Sequence, residues 1–292
     1  KWVFNPGKSG KVGAEHITNI VESKHRDLQS LIPKTTASSS QTPILKMNRV
    51  SVVFPNQFVG LYPTDLEIYP GELTILLGPS SSGKSVLMRT LNGLVPCSTG
   101  HIHVKDLGNL TDKQAWSSHQ RRTAMIHQEN QLIQHYSAMR NVLMGRIPHR
   151  PTWRCLLPWS DKDKRIALDC LDRVGLLKKA RIRITHLNQR QQQLVNIARA
   201  LAQKPSIILA DEPVSSLDST TSDGLLSLLK NVCEDEMISL IVSLHKAELA
   251  KKFADRIICI SQGLVIFDGV PDDLTIEHLR IIYGTDRKVP QY

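Results

Sequence analysis

Residues 78 to 85 read Gly78-Pro79-Ser80-Ser81-Ser82-Gly83-Lys84-Ser85 and complete the pattern G-x-x-x-x-G-K-[ST]. An apolar run of strand type over 72–77 precedes the pattern, and a segment of helical character over 86–91 follows it. In that context the glycines let successive backbone N–H groups point at phosphate oxygens, at the positive end of the helix dipole. The stretch predicts a nucleotide site in which Lys84 reaches the β- and γ-phosphates and Ser85 ligates Mg²⁺. A Gly/Ser loop without a ligand is the alternative.

The composition is that of a soluble globular protein, with 41% hydrophobic and 22% charged residues in a chain of 292. That length suffices for one large domain or two. The chain has no apolar run long enough to span a membrane and no secretory signal pattern at its start, so neither is expected. The five cysteines, which are widely spaced, predict reduced thiols: Cys97, Cys155, Cys170, Cys233 and Cys259.

The formal net charge of +10 is compatible with nucleic acid, anionic lipid or simply a basic surface. No nucleic-acid-binding motif accompanies it, so no nucleic-acid partner is expected. Residues 1–44 form a basic, flexible N-terminal extension in this interpretation, with linker composition over 35–43 and a possible short amphipathic helix over 17–32. A specific binding arm is the alternative for this segment. Residues 285–292 are assigned to a C-terminal tail.

Strand patterns follow at 45–54 and 66–69, and Pro70-Gly71 turns the chain toward the phosphate-binding pattern. Phe54 ends the first of these strands and is the aromatic residue best placed to stack on an adenine ring. Phe58, Tyr62 and Tyr69 are competing candidates, and a core position for Phe54 is the other interpretation. From about 130 to 180 helical patterns dominate, including 161–174, which indicates a helical insertion. An apolar cluster at 153–159 is either part of its core or a docking surface.

The second nucleotide signature is an apolar run that ends in two acids, Ile207 to Glu212. At the carboxyl end of a strand, Asp211 would hold Mg²⁺ through its water shell and Glu212 would polarise an attacking water. Another buried strand, 238–244, delivers His245 at its end, where a catalytic role is favoured over a structural one. A closing hairpin is expected over 257–267, with Gln262-Gly263 as its turn. This alternation of strands and helices predicts a mostly parallel sheet covered on both faces.

Taken together, the chain from about Ile44 to Gly284 resembles the ATP-binding subunit of an ATP-binding-cassette (ABC) transporter. Within that family it most resembles the ATPases of phosphonate importers, through 141–146, 152–157, 172–177, 267–271 and 281–284. The resemblance implies an α/β fold of the P-loop NTPase type: a mostly parallel core sheet, an antiparallel β subdomain and a helical subdomain at about 130–190. It implies one ATP-binding domain over 45–284.

The resemblance also implies residue roles. Gln128 takes the place of the glutamine that couples nucleotide and Mg²⁺ to the membrane subunit, and His245 that of the histidine near the γ-phosphate. The segment Ser215-Ser216-Leu217-Asp218 resembles the loop through which two ATPase subunits sense each other. The implied ATP-binding set comprises Phe54 and the residues from Gly78 through Ser85 and Val86. The implied cofactors are ATP and Mg²⁺.

The partners implied are a second ATPase subunit, in a homodimer, together with membrane permease subunits and a periplasmic or extracellular substrate-binding protein. The implied location is peripheral, at the cytoplasmic face of the inner membrane. The implied activity is ATP hydrolysis coupled to import of a phosphonate or a related phosphorus oxyanion.

One departure from the family concerns its Leu-Ser-Gly-Gly-Gln signature, which here reads Leu187-Asn188-Gln189-Arg190-Gln191. Asn188 and Arg190 are the candidates for contact with the γ-phosphate on the partner subunit, since a guanidinium is a good phosphate ligand. Side chains at 189 and 190 would crowd a place where backbone meets phosphate, and a positive φ there would cost about 1 kcal/mol or more. An ATP-binding but hydrolysis-impaired subunit, acting as a regulatory or structural partner, is the alternative function.

Overall fold

The computed structural model describes residues 42–128, 131–151, 157–215 and 217–284. The expected extension over 1–44 therefore lies outside the described residues except for its last three, and so does the tail over 285–292. Trp153, Cys155, Leu156 and Ser216 lie outside them as well. Within the described ranges, no helix combines the length and the apolar character needed to cross a bilayer.

Strands and helices alternate along the described chain. The strands are β1 (Leu45–Val53), β2 (Val59–Ile68), β3 (Leu73–Leu77), β4 (Thr99–Val104), β5 (Gly108–Asn109), β6 (Thr123–Ile126), β7 (Ile207–Asp211), β8 (Ser239–Leu244), β9 (Arg256–Ser261) and β10 (Leu264–Gly269). The α-helices are α1 (Lys84–Leu91), α2 (Lys113–Arg122), α3 (Ala138–Met144), α4 (Asp161–Arg173), α5 (Gln189–Ala202), α6 (Ser219–Asp235), α7 (Ala247–Phe253) and α8 (Ile276–Tyr283).

The central sheet has the strand order β10-β9-β3-β8-β7-β6. Strands β9, β3, β8, β7 and β6 run parallel, and β10 is antiparallel to β9. Every residue of β3, β7 and β8 is buried, as expected for parallel strands covered on both faces. The predicted mostly parallel sheet is confirmed, and its carboxyl edge brings together the residues that follow β3, β7, β8 and β9.

The antiparallel sheet has the order β2-β1-β4-β5. Strand β2 is longer than the strand predicted at 66–69. The prediction was too short because Gly60 and Pro63 disfavour a strand in the local sequence. The pairing register of β1 and β2 shifts between Val52↔Leu61 and Val50↔Thr64, and Pro63 lies within this irregular stretch. The predicted antiparallel subdomain is thus present, built from more strands than the sequence pattern indicated.

Helix α1 packs between the two sheets. Leu87, Met88 and Leu91 are buried in one cluster with Leu76 of β3 and with apolar residues of β1, β2 and β4. The neighbouring residues of β3, Ile75 and Leu77, belong to a second cluster with α5 and α6 on the other face. Since successive strand residues point to opposite faces, the phosphate-binding segment is anchored in both cores.

Helices α3 and α4 lie in the part of the chain where helical patterns were expected, and both pack against α5, which follows it. The close approach of α3 and α5 depends on Gly145, because a Cβ there would lie 2.1 Å from Arg199 O. The buried Arg146 adds an ion pair, with its Nε 3.2 Å from Asp163 Oδ1, and donates from Nη1 to Ala202 O at 2.8 Å. The expected helix over 161–174 is confirmed to within one residue.

A buried ionic cluster joins the two sheets at the edge away from the phosphate-binding segment. Arg256 donates to both carboxylate oxygens of Asp268, at 2.5 and 2.6 Å, and from Nη1 to Glu67 O at 2.8 Å. Glu72 lies at the margin of this cluster, with Oε2 4.0 Å from Arg256 Nη1. Burial raises the pKa of Glu72 to about 6; Asp268 and Asp255 add to the effect and Arg256 opposes it.

Replacing Glu72 with Gln is expected to stabilise the fold above pH 6. A folded-state pKa of about 6 against an ordinary 4.5 means that ionisation costs the folded state about 2 kcal/mol. The cost is absent below pH 4.5, grows between pH 4.5 and 6, and is complete above pH 6. In urea unfolding, Glu72→Gln should therefore have a higher free energy of unfolding than wild type at about pH 8, and nearly the same one at pH 4.5. An equal difference at both pH values, or the same behaviour in the exposed control Glu277→Gln, would contradict this.

Candidate functional site

The phosphate loop, residues 78–85, connects β3 to α1 and requires glycine at two positions. A Cβ at Gly78 would lie 2.1 Å from Ile260 O, the carbonyl oxygen of a residue in β9. Gly83 has φ 111°, and a Cβ there would lie 2.9 Å from Gly60 O. Backbone atoms cannot yield to such contacts, so only glycine lets the loop pack this closely against β2 and β9.

Helix α1 begins directly at Lys84, and no side chain caps its N-terminus. The uncapped N–H groups and the positive end of the dipole therefore face the loop, which is the arrangement that binds phosphate. Lys84 is 3% exposed, and its Nζ donates to Gly78 O and Pro79 O, both at 2.8 Å. Burial lowers the pKa of Lys84, and the nearby carboxylates of Glu212 and Asp211 oppose that effect.

Asp211 ends β7 beside the start of α1. Ser85 Oγ donates to Asp211 Oδ1 at 3.1 Å, and Ser243 Oγ of β8 donates to the same oxygen at 2.7 Å. A hydroxyl and a buried carboxylate are hard oxygen donors, which suit Mg²⁺ better than softer metals. In the described part of the chain, no cluster of three or more His, Cys, Asp or Glu side chains could hold a metal by itself. The donor set fits a cation that shares its coordination with a phosphate-bearing ligand.

Glu212 and His245 meet across the carboxyl ends of β7 and β8. His245 Nε2 lies 2.5 Å from Glu212 Oε1, and its Nδ1 lies 3.1 Å from Gly78 O and 3.5 Å from Lys84 Nζ. Glu212 has φ 49°, a left-handed conformation that is uncommon outside glycine. Its backbone N–H donates to Ser243 Oγ at 2.8 Å, which holds this strained residue in place.

Ser243 was missed in the sequence, although it touches both acids of the site. The available signal was a hydroxyl residue that follows three apolar residues, one position before the end of β8. A buried serine in such a strand needs a hydrogen-bond partner, and the parallel pairing of β7 with β8 places Asp211 opposite Ser243.

A cavity of about 760 Å³ opens beside the phosphate loop. Its lining includes the polar residues Ser85 and Glu212 and the aromatic residues Phe54 and Phe58. The two phenylalanine rings are stacked, with centroids 6.1 Å apart. Of the competing aromatic residues, Tyr62 also lines the cavity. Tyr69 is buried elsewhere and donates its hydroxyl to Glu67 Oε2 at 2.7 Å, so the structure does not bring it to this site.

Two of the residues implied by family resemblance are not joined to this cluster. Gln128 is exposed just after β6, and no hydrogen bond among the described residues links it to Ser85 or Asp211. Strand β6 is nevertheless next to β7, so Gln128 lies at the same edge of the sheet. Asn188 caps α5, and it does not line the cavity.

The altered signature forms an ordinary helix start. Asn188 has φ −70°, its Oδ1 accepts from Gln191 N at 2.9 Å, and Gln191 Oε1 accepts from Asn188 N at 3.2 Å. Gln189 and Arg190 are the first residues of α5, so the strain expected from a positive φ at these positions is absent. Arg190 is exposed, and one of its terminal nitrogens lies 4.0 Å from where a Cβ of Gly224 would be. The Arg190 guanidinium therefore packs toward α6.

A family model described as ABC transporter matches residues 61–215, more than half of the chain, and includes the phosphate loop, Asp211 and Glu212. The chain belongs to the ABC transporter family. The resemblance inferred from the motifs and the fold expected from it are confirmed.

Curated ABC relatives match most of the chain. One is the phosphonates import ATP-binding protein PhnC 3 of Nostoc sp., 44% identical over 84% of this chain and 94% of the relative. Another is the phosphite import ATP-binding protein PxtA of Stutzerimonas stutzeri, 47% identical over 84% of this chain and 88% of the relative. A solved ABC cassette, described as a dimeric post-hydrolysis state bound to ADP and Pi, superposes with a TM-score of 0.67. It shares 29% identity and covers 78% of this chain and 98% of its own.

Proposed function

We propose that this chain is the ATP-hydrolysing subunit of an ABC importer for phosphonates or a related phosphorus oxyanion. The observation that carries the proposal is the convergence of Lys84, Asp211, Glu212 and His245 on one phosphate loop in a member of this family. The names of the relatives, which import phosphonates or phosphite, support this substrate class.

The chemistry of each residue sets its role in the proposed reaction. Lys84 and the free N–H groups at the start of α1 bind the phosphates, and Phe54 stacks on the base. Ser85, Gln128 and Asp211 would hold Mg²⁺, which supplies charge neutralisation to the β- and γ-phosphates. Glu212 orients and polarises the attacking water, and His245 holds the γ-phosphate. The contact between His245 and Glu212 fixes the orientation of both side chains before they act.

The remaining proposals concern assembly and layout. The chain pairs with a second copy, as the dimeric cassette described above does, and Asn188 and Arg190 then approach the ATP of the partner. Membrane permease subunits and an external binding protein complete the importer, and nucleic acid is not a partner. The ATP-binding domain spans 45–284, with the helical subdomain at about 130–190 and extensions at 1–44 and 285–292. The chain sits at the cytoplasmic face of the inner membrane.

One observation favours a second candidate function, that of an ATP-binding subunit with impaired hydrolysis. The Asn188 carboxamide oxygen is already used as the helix cap, and the family's serine hydroxyl and both glycines are missing. A preorganised donor to developing charge is typically worth about 10²- to 10³-fold in rate. Turnover is therefore expected to be low under the leading proposal and negligible under this one.

Growth on a phosphonate or on phosphite as sole phosphorus source tests the proposed function. A bacterial strain that lacks its own importer ATPase, supplied with the cognate permease and binding protein, is expected to grow with this chain. It should fail to grow with Lys84→Ala, because the loop loses its only side-chain cation for the phosphates, and grow normally with the exposed-lysine control Lys204→Ala. Growth that is unaffected by Lys84→Ala would overturn the proposal.

A further inference from the structure

The turn between β9 and β10, residues Gln262 and Gly263, lies against the phosphate loop. Gly263 N donates to Ser82 O at 2.7 Å, and Gly263 O accepts from Tyr62 N at 2.9 Å. Gly263 Cα would lie 3.2 Å from a Cβ at Gly83, so the two backbones are in contact. The turn is thus held rigidly between the phosphate loop and β2, and Gln262 and Gly263 both line the cavity.

The strand order places this turn on a definite side of the loop. Strands β8 and β7, which deliver His245 and the acids, lie on one side of β3, and β9 lies on the other. A nucleotide whose terminal phosphate meets Glu212 and His245 must therefore extend its nucleoside half toward the opposite side. Gln262, Phe54 and Phe58 all line the cavity. Gly60 of β2 joins them, because a Cβ there would lie 2.6 Å from the Phe54 ring and a Cβ at Gly263 would lie 3.1 Å from Gly60 O.

The conformation of Gln262 is not explained by the turn itself. Gln262 and Gly263 have φ 50° and 78°, which are the two left-handed positions of a type I′ hairpin turn. Asn, Asp and Gly are the residues that tolerate the first of these positions, and glutamine gains nothing from its longer side chain there. The Gln262 side chain is also exposed, and its amide makes no hydrogen bond within the described part of the chain. A strained residue with a free amide facing a cavity is the pattern expected of a binding residue.

We propose that Gln262 is a nucleoside-binding residue: its side-chain amide hydrogen-bonds the base or ribose of the nucleotide held by the phosphate loop. The inference rests on the proposed function only in requiring that this cavity binds ATP. A carboxamide offers both a donor and an acceptor, which matches the paired donor and acceptor on an adenine edge and also the ribose hydroxyls. Aromatic stacking by Phe54 is tolerant of base identity, so Gln262 is the residue that adds polar recognition.

The test uses the opposite effects of one substitution on stability and on binding. Gln262→Gly relieves the left-handed strain, so the melting temperature of the full chain should rise by about 2–4 °C. The same variant loses the amide, so its affinity for ATP should fall by about 3- to 10-fold in a calorimetric titration. Lys204→Gly is the matched control, because Lys204 has φ 51° and is exposed before β7, at the opposite edge of the sheet. It should gain the stability and keep the wild-type affinity.

Further titrants locate the contact. Inorganic tripolyphosphate should bind wild type and Gln262→Gly equally, since it has no nucleoside. If Gln262→Gly loses affinity for ATP and GTP but not for 2′-deoxyATP, the hydrogen bond is to the ribose. If it loses affinity for ATP but not for GTP, the hydrogen bond is to the base. Unchanged ATP affinity in Gln262→Gly, or an equal loss for tripolyphosphate, would overturn the inference and leave the proposed function intact. Failure of wild type to bind ATP would instead overturn both.

Discussion

Replacing Glu212 with Gln is expected to lower ATP hydrolysis by about 10²- to 10⁴-fold, the range that a positioned general base contributes. The carboxylate stands 2.5 Å from His245 Nε2, and its backbone is held in a left-handed conformation by Ser243. Gln preserves the size and the hydrogen bond to His245, but it cannot accept a proton from water. ATP binding should stay near the wild-type level, because Lys84 and the loop amides are untouched.

Steady-state phosphate release, measured beside ATP affinity by titration, separates the two effects. The exposed glutamate Glu277, in α8, offers a matched control, and Glu277→Gln should hydrolyse ATP at the wild-type rate. Turnover that survives Glu212→Gln unchanged would show that another group activates the water. Loss of both binding and turnover would show that Glu212 supports the fold of the site rather than the chemical step.

Restoring Ser-Gly-Gly at Asn188, Gln189 and Arg190 is expected to raise ATP hydrolysis by about 10²-fold or more, because each preorganised donor to developing charge is worth about that much. At present the Asn188 oxygen caps α5, and residues 189 and 190 carry exposed side chains in its first turn. Glycine at these positions would leave the N–H groups open to a phosphate on a partner subunit. The gain should depend on protein concentration, since a second copy completes the site in the proposed dimer.

The same triple substitution should cost stability. Each glycine in a helical turn is less favourable by roughly 0.5–1 kcal/mol, so the melting temperature should fall by a few degrees while turnover rises. A matched control is Lys162→Gly with Lys164→Gly in the first turn of α4, which should lose stability without gaining activity. Unchanged turnover in the restored protein would mean that the native signature already suffices, with Arg190 as the natural candidate for the missing charge stabilisation.

Much of the site could be predicted locally. The phosphate loop, Asp211-Glu212 and His245 each lie at the end of a short apolar run, and parallel strands bring such ends to one edge of a sheet. The turn at Gln262-Gly263 was predicted from the hairpin pattern, but its contact with Ser82 was not. The strand β4 and the helix α2 escaped prediction because their residues are largely exposed and polar, which removes the hydrophobic periodicity that reveals such elements.

The amino-acid sequence by itself determined the phosphate loop, the functional residues that follow the apolar strands, and the family. These depend on glycines, apolar runs and acids that are neighbours along the chain. Only the tertiary structure decided which distant groups support them. Ser243 of β8 donates a hydrogen bond to Asp211 of the neighbouring β7, and the Tyr69 hydroxyl donates to Glu67 outside the site. The Asn188 side chain caps α5. Gln262 reaches the cavity for the same reason: strand pairing, rather than local pattern, sets which residues face each other across the sheet edge.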